Sequence, residues 1–570
     1  MRYQKLAEIY EELSSTTKRL EKIKILSKFL EHISQEDKDI LYLLLGKIYP
    51  EYDERRIGIS NQLAIKAISK STGDREEKVK SEWKTIGDLG EVAEKLTRKK
   101  SQSTLKTHVL ETKKVLENLR KLPELEGKGT VSKKISLITE LLTSASPLEA
   151  KYLVRSLIGD LRIGVKESTI REAMAKAFFS EKQKEASDKI QKAIDSANDL
   201  AEVFEKVKKG KIEELKKILL QIGKPIKVML AQKVKTIKEG FEKLGKPCAI
   251  EYKYDGFRLL IHKQKEKIIL FTRRLENVTK QFPEVVDYIK KYVKGESFIL
   301  DSEAVGFDKK TKEYKPFQYI SQRIRRKHNI EKLQEELPIE INVFDILYYD
   351  GKSLLDKTFE ERTNLIKRII KNHPCKIIHA KQIITSNEKK AEEFYKKALE
   401  NNQEGIMMKN LSSPYKPGSR VGHMLKIKPE ERDLDLVITG AEYGKGKRSS
   451  WFSSFILSCR GKSKGEYLEI GKVGTGIKEK SEQGISFDEL TKKITPLIIE
   501  ERGKGVKIKP EIIVAVTYQE IQKSPNYNSG FALRFPRFTA LRQDKPLSEI
   551  NSIEEIKKDF ENQKRNYRYG

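Results

Sequence analysis

The spacing of apolar residues changes character once along this chain, near residue 222, and that change limits what the chain can fold into. From Met1 to about Ile222 apolar positions recur at helical spacing, and beyond it they gather into short β-rich runs with helices between them. One helical segment is especially legible. Ser146-Pro147-Leu148-Glu149 offers a capping hydroxyl, a proline suited to the first turn and a Glu that completes a capping box. Ala150, Leu153, Val154, Leu157, Ile158 and Leu161 follow at helical spacing, and Gly164 is placed to end the helix. Lys151, Arg155 and Arg162 fall off that stripe. They read either as a solvated face or as a face turned to phosphates.

A basic stretch, Lys206 to Lys227, carries Gly223-Lys224-Pro225 near its end and marks a boundary. The runs after it are Ala249–Tyr252, Phe257–His262, Ile268–Thr272, Ser297–Leu300, Ile341–Leu347 and Gly405–Lys409, a mixed α+β pattern. From about Asp433 the pattern is mostly β, with Leu434–Gly440, Ser454–Ser458, Tyr467–Val473 and Ile512–Tyr518, which suits a small Greek-key barrel. The reading is therefore multidomain: an all-α domain over 1–222, an α+β domain over 223–432 and a β-barrel over 433–570. At ~100–200 residues per domain, 570 residues suit such a division.

The formal net charge is +31, an excess whose usual partners are phosphate backbones or anionic membranes. Apolar runs such as Ile512–Val516 fall far below the ~20 residues of a spanning helix. The first residues lead straight into an amphipathic pattern without a signal-peptide core. Cys248, Cys375 and Cys459 are the only cysteines, scattered and odd in number, so neither a disulfide framework nor a zinc pair is visible. The expectation is a cytoplasmic, nucleic-acid-directed protein.

The chemistry gathers in the middle region. Glu251-Tyr252-Lys253-Tyr254-Asp255-Gly256-Phe257-Arg258 sits where a strand meets a turn. Lysine is a covalent nucleophile only as the neutral amine, and a short turn can hold one at the mouth of a pocket. Asp-Gly alone is an ordinary hairpin turn, so this motif is weak in isolation. It has company. Arg273-Arg274 follow a strand, and Asp301 and Glu303 alternate at a strand end and so face one side. Phe344-Asp345 follow another strand; Glu404 and Lys409 flank an apolar run; Lys426 and Lys428 share a strand face. Each has an innocent reading as a solvated strand end, but together and in this order the innocent readings fail.

That order, from Lys253–Arg258 through Phe271–Arg274, Asp301–Asp308, Val343–Gly351 and Glu404–Lys409 to Leu425–Lys428, resembles the motif series of the covalent nucleotidyltransferases. The surrounding residues resemble the ATP-dependent DNA ligases of archaeal and eukaryotic replication. The shared stretches are Pro316-Phe317-Gln318 with Arg323 and Arg325–Lys327, Ser413–Arg420, Ala532–Phe538 with Arg542, Asp544 and Lys545, and, in the helical region, Glu149–Arg155 and Gly159–Arg162. Met424 stands where relatives often carry Trp before the paired lysines; a flexible thioether can fill the same gap. The zinc cysteines of the bacterial NAD-dependent class are missing.

The resemblance implies a helical DNA-binding domain, an adenylation domain and an OB-fold domain. It implies ATP as co-substrate, Mg²⁺, nicked duplex DNA as substrate and a monomer. It makes Lys253 the residue that carries AMP. Glu251 would meet the adenine edge, Arg258 and Arg273 the ribose or phosphate, and Phe344 the adenine face. Glu303 would serve the nucleotide and, with Glu404, the metal. Arg420, Lys426 and Lys428 would neutralise phosphates, while Arg534, Arg542 and Lys545 would orient the pyrophosphate. It also suggests a sliding-clamp contact through Gln102 and Leu105, although His108 and Val109 stand where a clamp peptide wants aromatics. RNA ligases and capping guanylyltransferases would share the lysine motif without needing the helical domain, and a nucleotidyltransferase fold acting only as a DNA scaffold would not keep Lys253, Glu303, Glu404 and Lys426 together.

Overall fold

The computed structural model describes the chain except for residues 54, 100–108, 128, 211, 218–219, 327–328, 430–431, 445–450, 464, 480–483 and 567–570. The clamp candidates Gln102 and Leu105 lie outside the described residues. Cα proximity divides the chain into two compact units, residues 1–391 with 406–426, and residues 392–405 with 427–570.

The first unit opens with helices. The capping box forms as its sequence dictates: Ser146 Oγ accepts from the Glu149 N–H at 3.3 Å, and Glu149 Oε2 accepts from the Ser146 N–H at 2.8 Å. The helix it starts, Pro147–Leu157, stops short of the expected end, because Gly159 at φ +70° already turns the chain; Gly164 lies beyond.

For two of the three off-stripe cations the solvated reading fails, while Arg162 is exposed. Lys151 and Arg155 are buried. Lys151 pairs with Glu11 at 2.8 Å and Glu94 at 3.5 Å; Arg155 pairs with Asp88 at 2.6 Å and Glu91 at 3.2 Å; Arg162 reaches Asp88 at 2.8 Å. The acids come from helices distant in sequence, which the period of one helix cannot reveal. Burial alone would raise the Asp88 pKa, but hydrogen bonding and charge from Arg155, with Arg162 behind, bring it below the usual value. A group depressed in this way contributes stability above its unfolded pKa of about 3.9 and loses it as pH falls through the folded value. Asp88→Asn keeps the cap and deletes the charge. It should cost about 3 kcal/mol at pH 7 by denaturant unfolding, with the gap to wild type closing below about pH 4. A gap independent of pH would show that packing, not charge, is what the substitution removed.

The sheets follow in the same unit. Asn198 Nδ2 donates to Pro225 O at 2.7 Å and the Gly223 N–H to His262 Nδ1 at 3.1 Å, and Lys224–Glu202 and Lys227–Glu167 are ion pairs at 3.0 and 2.9 Å. Burial holds His262 down to a pKa of about 3, which keeps its ring neutral and able to accept.

The strands are β1 Leu230–Lys233, β2 Cys248–Lys253, β3 Phe257–Gln264, β4 Lys267–Thr272, β5 Ser297–Gly306, β6 Ile339–Tyr349, β7 Lys352–Ser353, β8 Ile377–His379, β9 Gln382–Thr385, β10 Gly405–Asn410 and β11 Arg420–Ile427. Each β-rich run expected in this region is a strand. One sheet has the order β1-β11-β10-β2-β9; the other runs β4-β3-β5-β6-β7, with β8 beside β6. Alternation sorts the side chains of β3. Phe257, Leu259 and Ile261 enter a core with Phe298, Leu300 and the helix Pro283–Tyr292, while Leu260 joins a second cluster. That cluster unites Leu260, Phe271, Ile299 and Leu347 of the second sheet with Ala231, Val421 and Met424 of the first, so it lies between the sheets. Met424 is buried in it, which is the gap-filling role its position suggests.

The second unit contains β12 Arg432–Tyr443, β13 Phe452–Arg460, β14 Tyr467–Val473, β15 Ile498–Arg502, β16 Gly505–Ile508, β17 Ile513–Tyr518, β18 Glu520–Lys523, β19 Phe531–Arg534 and β20 Arg537–Leu541. Pairing follows the open path β14-β13-β12-β16-β15, with β17 joining β12 to β20 and β18 paired to β19. Among the described residues no pairing closes this path into a ring. Two helices unannounced by the sequence pattern, Phe487–Ile494 and Ile553–Asn566, accompany the strands.

Candidate active site

Lys253 is the last residue of β2, half-buried, and the chain turns immediately after it. Gly256 is required there by close approach: a Cβ would lie 2.3 Å from Ala304 O of β5. Asp255, nearly buried, accepts the Phe317 N–H at 3.3 Å from the first residue of the helix Phe317–Arg325. That helix is fastened at its other end by Arg323, which pairs with Glu284 at 2.7 Å and donates to Leu337 O at 2.9 Å. The helix Phe317–Arg325 thus secures the turn that presents Lys253.

Glu251, two residues back on the strand, is buried and paired with Lys409 of β10 at 2.6 Å. Gln382 Nε2 of β9 donates to its other oxygen at 2.8 Å. Burial pushes the Glu251 carboxyl up against the pull of Lys409. The Lys409 ammonium also stands 4.9 Å from the Phe344 ring and 4.4 Å from the Phe359 ring. Arg258 is the second cation near Phe344, 5.2 Å from its ring, and forms two bonds to Asp301, Nε to Oδ1 at 2.8 Å and Nη2 to Oδ2 at 2.5 Å. Its Nη1 donates to Met229 O at 2.8 Å, and Tyr415 OH donates to Asp301 Oδ2 at 2.8 Å. Burial opposes the charge on Arg258, yet Asp301 and Tyr415 raise its pKa further. Glu303 lies directly across from Arg258 in the β3–β5 register and is half-buried.

The remaining candidates are placed as follows. Arg273 is exposed after β4. Arg420 opens β11 and donates to Ala231 O at 2.8 Å. Lys426 sits on β11 opposite Lys233 of β1. The second unit holds the ion pair of Lys428 with Glu404 at 2.5 Å. It also holds Arg542 and Lys545, both on Asp435 at 3.1 and 2.6 Å, and Arg534, on Glu520 at 3.2 Å. The structure thus gathers Glu251, Arg258 and Phe344 through shared partners and sets Glu303 beside Arg258. The sequence reading gave no role to those partners, Lys409, Asp301 and Gln382. Lys409 and Asp301 were visible as motif ends; nothing local marked Gln382.

Family models match in succession: DNA ligase N terminus over residues 2–175, ATP dependent DNA ligase domain over 228–428 and ATP dependent DNA ligase C terminal region over 448–545. A DNA ligase of Nanoarchaeum equitans is 43% identical over 566 residues, with 99% of each chain covered. The chain belongs to the ATP-dependent DNA ligases. A DNA ligase of Thermococcus onnurineus is 41% identical, again with 99% of each chain covered. A solved structure titled Pmar-Lig_PreS3 shares the fold of this ligase at a TM-score of 0.56 and 18% identity, covering 94% of this chain and 99% of that one. ATP is accordingly the ligase's co-substrate. Among the described residues no helix is long and apolar enough to cross a membrane.

Proposed function

We propose that this ligase seals nicks in duplex DNA through a lysyl-AMP at Lys253. The Lys253 amine attacks the α-phosphorus of ATP, a P–N bond forms and pyrophosphate leaves. The 5′-phosphate of the nick then takes the AMP, and the neighbouring 3′-hydroxyl displaces it. Such chemistry rests on positioning and charge neutralisation. The observation that carries the reading is the placement of Lys253, Lys409 and Lys426 on the adjacent strands β2, β10 and β11, with Glu251 bound to Lys409 and Phe344 beside it.

In this reading Phe344 stacks on adenine and Glu251, held by Lys409 and Gln382, lines the base edge. Arg273 and Glu303 serve the ribose, Arg258 is set by Asp301 at the phosphate side, and Arg420, Lys426 and Lys428 face phosphates. Arg534, Arg542 and Lys545 orient the leaving pyrophosphate. Among the described residues no group of three or more His, Cys, Asp or Glu is arranged for a metal. A hard cation such as Mg²⁺ keeps most of its waters and binds through one or two carboxylates plus substrate phosphates, and Glu303 and Glu404 are the carboxylates assigned to it in this reading. The cation would supply charge neutralisation at the phosphates.

The domains would be helical DNA-binding over 1–222, adenylation over 223–432 and an OB-fold over 433–570, in a monomer. A clamp contact through Gln102 and Leu105 belongs to the same proposal; equal clamp stimulation of wild type and a Gln102→Ala, Leu105→Ala variant would remove it. The test of the whole is incubation with α-labelled ATP, GTP, ADP or NAD, a denaturing gel, and then nicked DNA, nicked RNA–DNA hybrid or triphosphate-ended RNA. Label from ATP alone, discharged by nicked DNA, is expected. Transfer to triphosphate-ended RNA would make the chain a capping enzyme instead.

A further inference from the structure

The residue after Lys253 is held from a direction that no motif specifies. Tyr254 is almost fully buried, and its hydroxyl accepts the backbone N–H of Lys381 at 2.9 Å. The same Lys381 takes the Tyr252 N–H on its carbonyl at 3.3 Å. One backbone residue at the entrance to β9 therefore grips both neighbours of Lys253, through main chain on one side and a phenol on the other. Beneath it the Tyr254 ring meets Tyr252 edge-on at 6.0 Å and Tyr314 at 6.3 Å, and the Tyr314 hydroxyl donates to Glu340, which also accepts the Cys375 N–H at 2.6 Å.

β2 pairs with β9 only from Cys248 to Glu251. The ladder therefore stops two residues before Lys253. Strand β10 flanks β2 on its other side; on the β9 side the main chain past Glu251 is held by Lys381, and the turn that follows is held by Asp255 docked to Phe317 and Gly256 packed against Ala304. Asp255 and Gly256 fix the far side of the turn, and the Tyr254 hydroxyl is what continues the grip of the β9 side past the end of the ladder. We propose that Tyr254 is a positioning residue for the first step: its hydroxyl, docked on the Lys381 N–H, sets the direction from which the Lys253 amine approaches the nucleotide. This rests on the reading of Lys253 as the nucleophile. Misplacing a nucleophile by about 1 Å costs ~10²-fold, and loss of one hydroxyl contact in a turn still pinned elsewhere should cost part of that.

The experiment uses the full chain and separates the steps. Single-turnover label formation from α-labelled ATP is measured for wild type, Tyr254→Phe, Tyr314→Phe and Lys253→Ala, alongside sealing of a nick already carrying 5′-AMP, a step that bypasses Lys253. Tyr314→Phe removes a hydrogen-bonded hydroxyl from the half-buried ring one layer further away and controls for general loosening. Tyr254→Phe should slow label formation ~10-fold, leave half-saturation by ATP within about two-fold and seal the pre-adenylated nick within about two-fold of wild type. Tyr314→Phe should label at the wild-type rate. Wild-type labelling by Tyr254→Phe, equal slowing of both steps, or equal slowing by Tyr314→Phe would overturn the proposal. Label on Lys253→Ala would instead overturn the assignment of the nucleophile, and the proposal with it.

Discussion

Lys253→Arg is expected to take no label from α-labelled ATP while binding nicked duplex DNA as wild type does. The substitution keeps the positive charge and much of the length of the side chain, so the long-range attraction to phosphates is preserved. It removes a nitrogen that can give up its proton. A guanidinium stays protonated at any workable pH and offers no lone pair to phosphorus. The loss of label should be at least ~10³-fold, whereas DNA affinity should stay within about two-fold. Sealing of a pre-adenylated nick should survive, because that step asks nothing of the amine. Label persisting on the variant would remove Lys253 from the mechanism. Joint loss of label and DNA binding would mean that the turn, with Gly256 tight against Ala304, had been disrupted.

The turn itself was legible because its requirements are local: a strand of apolar residues, an Asp-Gly reversal and a following strand with an alternating face. The same holds for Asp301 and Glu303, since alternation alone puts them on one side, and the β3–β5 register then places Arg258 across from Glu303. What the sequence hid were partnerships between residues remote from each other. Lys409 read only as a cation flanking an apolar strand, solvated or functional, yet it pairs with Glu251 and stands over two aromatic rings. Lys151 and Arg155 carried the same ambiguity. A cation off the apolar stripe of a helix reads as solvent-facing unless the acids of Glu11, Asp88 and Glu94 on other helices are known to close over it. Periodicity reports which residues share a face; it cannot report what covers that face. The two helices of the second unit were overlooked for a related reason. Each is brief or terminal within a run of strands, so the β pattern around them dominated the reading.

Shortening the ligase from either end should separate grip from chemistry. A chain beginning at Leu220 retains the cluster between the two sheets, in which Leu220, Ile226, Val228 and Met229 pack with Leu260 and Tyr415. What it loses at the cut are polar ties such as Lys224–Glu202 and Lys227–Glu167. It should therefore stay folded and form lysyl-AMP within about three-fold of the full chain, because no proposed nucleotide contact has gone. Its hold on nicked DNA should fall ~10²-fold or more near 0.15 M salt, with a shallower dependence of affinity on salt, since fewer phosphates are neutralised. A chain ending at Lys428 should behave oppositely. It keeps Lys253, Glu251 and the Glu404–Lys428 pair but loses Arg534, Arg542 and Lys545, so label formation should drop at least ~10²-fold as the leaving pyrophosphate goes uncompensated. Thermal unfolding of each shortened chain establishes that it is folded before either rate is compared. Unchanged affinity across salt for the chain beginning at Leu220 would assign the helical region some task other than holding DNA. Full labelling of the chain ending at Lys428 would strip the three distal cations of any part in the first step.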